Sequence, residues 1–135
     1  MNISQSLAGL PSFLVYFVLG LALLGAFLAV YARATPYDER ALIREGNVAA
    51  AISLSGAILG FMLPLASAIA HSVDVIDMVV WGVIALVVQI AVFVVVSRAL
   101  PHFAEAIRAG KIAAATVLAV LAIAIGLLNA ACMTY

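Results

Sequence analysis

Long apolar stretches without a charged residue alternate with short polar connectors along the whole chain. The stretches cover residues 12–32, 46–70, 78–97 and 112–135. Each holds about 20 residues or more, which is the length that an α-helix needs to cross roughly 30 Å of hydrocarbon. A bilayer offers no water to backbone amides, so a helix is the economical way to satisfy them. The pattern predicts an all-α fold, an integral membrane four-helix bundle.

Composition agrees with this pattern and narrows the class of protein. The chain is 68% hydrophobic and only 9% charged, which is far outside the range of soluble domains. Its 135 residues predict one membrane domain, 1–135, in contact with the lipid bilayer. The net charge is zero, so we expect no nucleic-acid partner, and we expect no cofactor. Residues 1–12 lack Lys and Arg, so the first stretch is predicted to be a span and not a signal peptide.

The basic residues are confined to two of the connectors. They are Arg33, Arg40, Arg44, Arg98, Arg108 and Lys111. By the positive-inside rule, this asymmetry places connectors 33–46 and 98–111 in the cytoplasm. Both termini and the 71–77 connector are then predicted to lie outside the cytoplasm.

These two basic connectors repeat one order of residues: an Arg, a Pro, an Ile-Arg pair, a Gly and a run of small residues. The first copy contains Arg33, Pro36, Ile43, Arg44, Gly46 and Ala49, and the second contains Arg98, Pro101, Ile107, Arg108, Gly110 and Ala113. Each copy lies between two apolar stretches, so the chain is interpreted as two tandem hairpins inserted in parallel. Repeat 1 covers 12–70 and repeat 2 covers 78–135.

Each basic connector is also predicted to contain a short interfacial helix. In the first, we expect Thr35 to cap a helix over 36–45 and Asn47 to cap the span that follows. The residues expected to begin and end these helices are Pro36 and Gly46 in the first copy and Pro101 and Gly110 in the second. A solvated turn is the alternative.

Aromatic residues are expected to mark the two membrane surfaces as interfacial belts. They are Phe27, Tyr31, Tyr37 and Phe103 on the basic side and Phe13, Tyr16, Trp81 and Tyr135 on the other. No charged residue lies inside a predicted span. Since carriers that exchange protons generally keep one there, proton antiport is not expected.

Small residues recur at helical spacing in the second and fourth spans. Gly56 and Gly60 form a GxxxG element, and Ala122, Gly126 and Ala130 continue the pattern in the fourth span. Such strips let two backbones approach closely, so these residues are predicted to pack helices together. Pro64 is expected to kink the second span.

A few polar residues near mid-membrane are the first candidates for function. Ser53, Ser55 and Gln89 could line a polar path, or they could form interhelical hydrogen bonds. Polar side chains within spans commonly bond across helices and fix their rotation. The hydrogen-bonding role is the favoured interpretation.

The second candidate set is an outer polar cluster. His71, Asp74 and Asp77 follow at i, i+3 and i+6, and Asn129 ends the fourth span nearby. Three such ligands could hold a divalent metal on one continuous helix, but Asp77 is better explained as the cap of the third span, so no metal is predicted. Cys132, the single cysteine, is expected to be a buried small hydrophobe.

Several segments of the sequence resemble a known family. Three segments resemble the YjfL-like family of small bacterial inner-membrane proteins: Tyr31–Glu39, Ile43–Ala51 and the ending Gly126–Tyr135. The resemblance covers nearly the whole chain and implies four spans in the plasma membrane. It implies no reaction and no catalytic residues, because that family is a domain of unknown function.

Two hypotheses follow, and neither is an enzyme. The first is a membrane protein that acts through assembly, as a homo-oligomer or a subunit of a membrane complex, because small-residue strips favour helix association. The alternative is a channel or facilitator for a small ion or solute, with a polar path near Ser53, Ser55 and Gln89.

Overall fold

The computed structural model describes residues 2–100 and 102–133, and these fold into helices without a strand. The helices are α1 (Ile3–Leu7), α2 (Leu10–Ala34), α3 (Glu39–Arg44), α4 (Val48–His71), α5 (Val75–Ala99), α6 (Phe103–Arg108) and α7 (Ile112–Cys132). Helices α2, α4, α5 and α7 are long and apolar enough to cross a membrane, and α1 lies directly before the first of them. The prediction of an all-α protein with four spans is confirmed.

Helices α4 and α5 form the middle of the bundle. Helix α4 packs most extensively against α7 and also contacts α5 and α2, while α5 contacts α2 and α7. Helices α2 and α7 therefore flank the central pair. Helix α4 carries the most buried residues, whereas α2 buries only Gly20, Phe27 and Tyr31.

The α4–α7 seam depends on residues without side-chain bulk. A methyl group added to Gly56 would overlap the backbone of Ala119, and one added to Gly60 would overlap the carbonyl of Ala122. A methyl group on Gly126 would overlap the Gly60 carbonyl. Glycine at these positions thus lets the two backbones touch.

Pro64 acts on the same seam. Proline has no N–H, so the Gly60 carbonyl one turn earlier loses its helical donor. A Cα hydrogen of Gly126 points towards that carbonyl, because a Cβ atom placed there would collide with it. A weak C–H···O contact therefore replaces part of the missing hydrogen bond.

The short helices α3 and α6 each contain six residues and precede a glycine with positive φ. Gly46 (φ 85°) and Gly110 (φ 77°) adopt the left-handed conformation that ends a helix. The expected start of α3 was wrong: Asp38 caps it through the Ala41 amide, and Thr35 instead bonds back to Tyr31 O in α2. Pro101, expected to begin the second short helix, lies outside the described residues.

At the opposite end, a tight connector joins α4 to α5. Helix α4 ends at His71 and α5 begins at Val75. Asp74, not Asp77, is the N-cap, and its Oδ1 accepts the Asp77 amide at 2.8 Å. Asp77 Oδ2 accepts the amide of Val73, the residue before the cap, at 2.9 Å, so the two aspartates together satisfy two amides at the start of α5.

The aromatic residues on the basic side are core residues and not a belt. Phe27, Tyr31, Tyr37 and Phe103 are all buried. Phe27 stacks on Phe61 with ring centroids 4.5 Å apart. The belt interpretation fails because these rings pack in the helix bundle and the tyrosine hydroxyls find buried partners there.

Candidate functional site

A buried group of polar side chains lies where α2, α3 and α4 meet. This polar cluster consists of Tyr31, Tyr37, Glu39 and Ser53. The Tyr31 hydroxyl donates to Glu39 Oε1 at 2.8 Å. Ser53 Oγ lies 3.2 Å from the Tyr37 hydroxyl and 3.5 Å from the Tyr31 hydroxyl. The four groups form a connected network in which the carboxyl group of Glu39 is joined through Tyr31 to Ser53 and Tyr37.

Burial controls the charge of this carboxyl. Glu39 is only 8% exposed. Burial raises its pKa to about 7, against the lowering effect of hydrogen bonds from Tyr31 and Tyr37. Burial also raises the pKa of Tyr37 to about 12, so its hydroxyl stays protonated. The cluster can therefore take up or release one proton near neutral pH, at Glu39.

Glu39 is not among the functional candidates predicted from the sequence. It lies in a connector with several charged residues, and charged connector residues are usually solvated. A signal was present: Glu39 shares a helix face with Leu42 and Ile43, at i+3 and i+4. Both hydrophobic residues are half-buried, so the face that carries Glu39 turns towards the bundle.

Beside the polar cluster lies a cavity of about 780 Å³. It is bounded by the end of α2, by α3 and by α4, and Arg108 reaches it from the end of α6. Arg108 donates to the carbonyl of Pro36, and the Asn47 amide donates to Ile107 O at 2.8 Å. The two basic connectors thus meet at this end of the molecule, which we call the basic end.

Gln89 lies deep in the bundle and crosses to α7. It is 4% exposed, and its Nε2 donates to the carbonyl of Ala122 at 2.9 Å. Its Oε1 is buried without a hydrogen-bond partner among the described residues. A cavity of about 30 Å³, lined otherwise by aliphatic and aromatic side chains of α2, α4, α5 and α7, borders this residue.

The structure does not bring the three mid-membrane candidates together. Ser53 belongs to the polar cluster, and Gln89 bonds to α7. Ser55 is exposed, and its hydroxyl donates to Ala51 O of its own helix at 2.7 Å. Each residue step along a helix turns the side chain by about 100°, so the two steps from Ser53 to Ser55 turn it by about 200° and the two side chains point to different sides.

The outer polar candidates are also separated. His71 is exposed and contacts Ser67 of its own helix, while Asp74 and Asp77 cap α5. Asn129 is buried, and its amide lies 3.4 Å from Ala85 O. Among the described residues, no three His, Cys, Asp or Glu side chains are grouped to hold a metal ion.

Two expectations about the end of α7 have different outcomes. Cys132 is exposed and not buried, although Met133 beside it is buried, so the cysteine lies on the side of α7 that is turned away from the core. Ala130 lies on the α4 side, where its carbonyl is 3.4 Å from Ser67 Oγ. Tyr135, expected at the outer surface, lies outside the described residues.

The fold and its spans define the class of protein: an all-helical, four-span integral membrane protein. Residues 5–133 match the family described as "Domain of Unknown Function (DUF350)", and the chain belongs to this family. It is 40% identical over 129 residues to "UPF0719 inner membrane protein YjfL" of Escherichia coli (strain K12). The match covers 96% of this chain and 98% of that protein, and the same protein of Escherichia coli O157:H7 matches equally.

No solved structure matches the chain. The resemblance to the YjfL-like family is confirmed, and with it a multi-pass location in the bacterial inner membrane. The family is described as one of unknown function, and the names of these two relatives state no reaction.

Proposed function

We propose that this protein acts without catalysis, by self-association in the inner membrane through the outward face of α2. The observation that carries the proposal is an unused strip of small residues on that helix. The strip, called the α2 strip, consists of Ala22, Gly25, Ala26 and Ala29, all exposed. A methyl group added to Gly25 would meet nothing within 4 Å. A second helix can therefore approach the α2 backbone closely there.

Helix geometry places this strip opposite the buried face. At about 100° per residue, Ala22, Gly25, Ala26 and Ala29 fall on one side of α2, and Phe27 and Tyr31 fall on the other. The strip is thus directed away from the bundle. By contrast, the strips of α4 and α7, which include Gly56, Gly60 and Gly126, are occupied inside one chain. They cannot serve contacts between copies, which leaves the α2 strip for that role.

We also propose that the chain is built of two tandem hairpins, with α3 and α6 at the cytoplasmic surface and both termini outside. The similar lengths of α3 and α6 and the positive-φ glycines that follow them support the repeat. The confinement of all six basic residues to the basic end supports the orientation.

Bulky residues on the α2 strip test self-association. Gly25→Leu combined with Ala29→Leu should convert the oligomer to monomer in mild detergent and in membrane cross-linking. The matched control replaces two exposed alanines elsewhere, Ala91→Leu and Ala124→Leu, and it should leave the oligomer intact. A wild-type protein that is monomeric in native membranes would refute the proposal.

A channel or facilitator is the second candidate, and the unpaired Oε1 of Gln89 favours it. The adjoining cavity of about 30 Å³ can hold one water molecule. Towards the outer end, however, Phe61, Leu65 and Met78 fill the core, so a continuous path would have to run between copies. Ion flux into proteoliposomes that disappears in Gln89→Leu would support this candidate, and flux unchanged by the substitution would exclude the path.

A further inference from the structure

We propose that the cavity at the basic end is a binding site for the headgroup and upper acyl chains of an anionic phospholipid. The proposal stands apart from self-association, since none of the four α2-strip residues lines this cavity. Its walls include Leu28, Leu54, Glu39, Arg40, Arg44 and Arg108. Three of these are arginines, and they come from two separate connectors.

The arginines at this site are free to bind a ligand. Arg40 and Arg44 are exposed, and neither forms an ion pair with another described residue. Arg108 uses one nitrogen to donate to Pro36 O. A guanidinium carries five N–H donors, so this bond holds Arg108 at the rim and leaves donors for a phosphate oxygen.

The two acidic residues of the wall do not cancel this positive charge. Asp38 directs an oxygen to the Ala41 amide as the cap of α3. Glu39 is buried in the polar cluster, where Tyr31 donates to it. Burial raises its pKa to about 7, which reduces its negative charge at neutral pH. An anion at the rim therefore meets a net positive site.

The opposite wall is apolar and extends into the membrane. Leu28 lies six residues before the end of α2, and Leu54 lies six residues after the start of α4. At 1.5 Å per residue, both reach about 9 Å into the spans. A site with arginines at the surface and leucines below matches a phosphate joined to acyl chains. A free phosphate would use only the upper half.

Native mass spectrometry of the purified full-length protein tests the site. The probes are phosphatidylglycerol, phosphatidylcholine and glycerol phosphate, titrated into detergent micelles. We expect wild-type protein to bind phosphatidylglycerol more tightly than phosphatidylcholine, and glycerol phosphate more weakly than phosphatidylglycerol. Arg40→Gln combined with Arg44→Gln should weaken phosphatidylglycerol binding about 30-fold, from the contribution of two arginines near a membrane surface.

The matched control is Arg33→Gln combined with Arg98→Gln, which removes the same charge from the same end without touching the cavity wall. It should bind phosphatidylglycerol like wild type. If both double variants weakened phosphatidylglycerol binding equally, the effect would come from surface charge, and the proposed site would be wrong. If glycerol phosphate bound as tightly as phosphatidylglycerol, the ligand of the site would be a free anion and not a lipid. The Gly25→Leu/Ala29→Leu variant should bind the lipid normally, so failure of self-association and failure of this site are distinguishable.

Discussion

At the scale of single residues, two features depend on individual side chains: the close α4–α7 seam depends on glycines, and the buried polar cluster depends on the carboxyl group of Glu39. Gly60 and Gly126 bring two backbones into contact where a methyl group would collide. Glu39, a connector residue, is buried and accepts a hydrogen bond from Tyr31. Both effects come from neighbours distant in sequence, and each leads to a measurement.

The seam predicts that two glycines in similar helices respond differently to the same substitution. Gly126→Ala should lower the free energy of unfolding by about 1–3 kcal/mol, because the added methyl group overpacks the seam. Gly25→Ala should be close to neutral, since the space beside it is open. Unfolding of both variants in mixed micelles, followed by circular dichroism, would compare them. Equal stabilities would contradict the close approach at Gly126.

The buried carboxyl predicts how stability depends on pH. The pKa of Glu39 rises from 4.5 to about 7 on folding, so the folded chain holds the proton more tightly than the unfolded chain. The resulting stabilisation is complete below about pH 4.5 and is lost as the pH rises through about 7. The loss is about 3 kcal/mol, because a tenfold change in proton affinity corresponds to about 1.4 kcal/mol.

Unfolding of wild type and Glu39→Gln between pH 4.5 and pH 8 measures this effect. The glutamine keeps the shape of the protonated acid, so the variant should lose the pH dependence and be the more stable protein at pH 8. Glu105→Gln is the control, because Glu105 is 77% exposed and its removal should leave the wild-type slope. If the free energy of unfolding of Glu39→Gln depended on pH as in wild type, the titrating group would not be Glu39.

At the scale of helices, capping groups tie the two basic connectors together. Asn47 caps α4 by accepting the Ala50 amide at 3.0 Å, and its own amide donates to Ile107 O in α6. Lys111 holds the corresponding position before α7, without a side-chain cap. The two connectors therefore both end at a glycine with positive φ but differ in how the following span is capped.

This asymmetry predicts different effects of one substitution at corresponding positions. Asn47→Ala should lower the free energy of unfolding by about 2 kcal/mol, since it removes a cap and a hydrogen bond between connectors. Lys111→Ala should change it little. Chemical denaturation in micelles gives both values, and a Lys111→Ala loss as large as that of Asn47→Ala would show that the cap is not the cause.

At the scale of the whole molecule, charge predicts the orientation in the membrane. All six basic residues lie in two connectors that meet at the basic end. Alkaline phosphatase fused to the C-terminus should be active, and green fluorescent protein fused there should stay dark, because both termini are predicted outside the cytoplasm. Fluorescence of the second fusion would reverse the orientation and move the proposed lipid site to the outer leaflet.

Much of the architecture follows from the sequence because its causes are local or additive. Four long uncharged stretches specify four helices in any apolar solvent, and Gly46, Gly110 and Asn47 end or begin helices through their own backbone and side-chain chemistry. The resemblance that identifies the family rests on residues read directly along the chain.

The tertiary structure alone decided which residues have partners. Small-residue strips occur in α2, α4 and α7, and only packing showed that those of α4 and α7 are used within the chain. Charge gave no reason to prefer Glu39 over the other connector acids, and its spacing from Leu42 and Ile43 was the one signal in the sequence. Its burial arises because α3 folds back onto the bundle, so that Glu39 meets Tyr31, 8 residues away, and Tyr31 in turn lies against Ser53 of α4. Contacts between segments distant in sequence depend on the free energy of the whole bundle, and no local pattern contains that quantity.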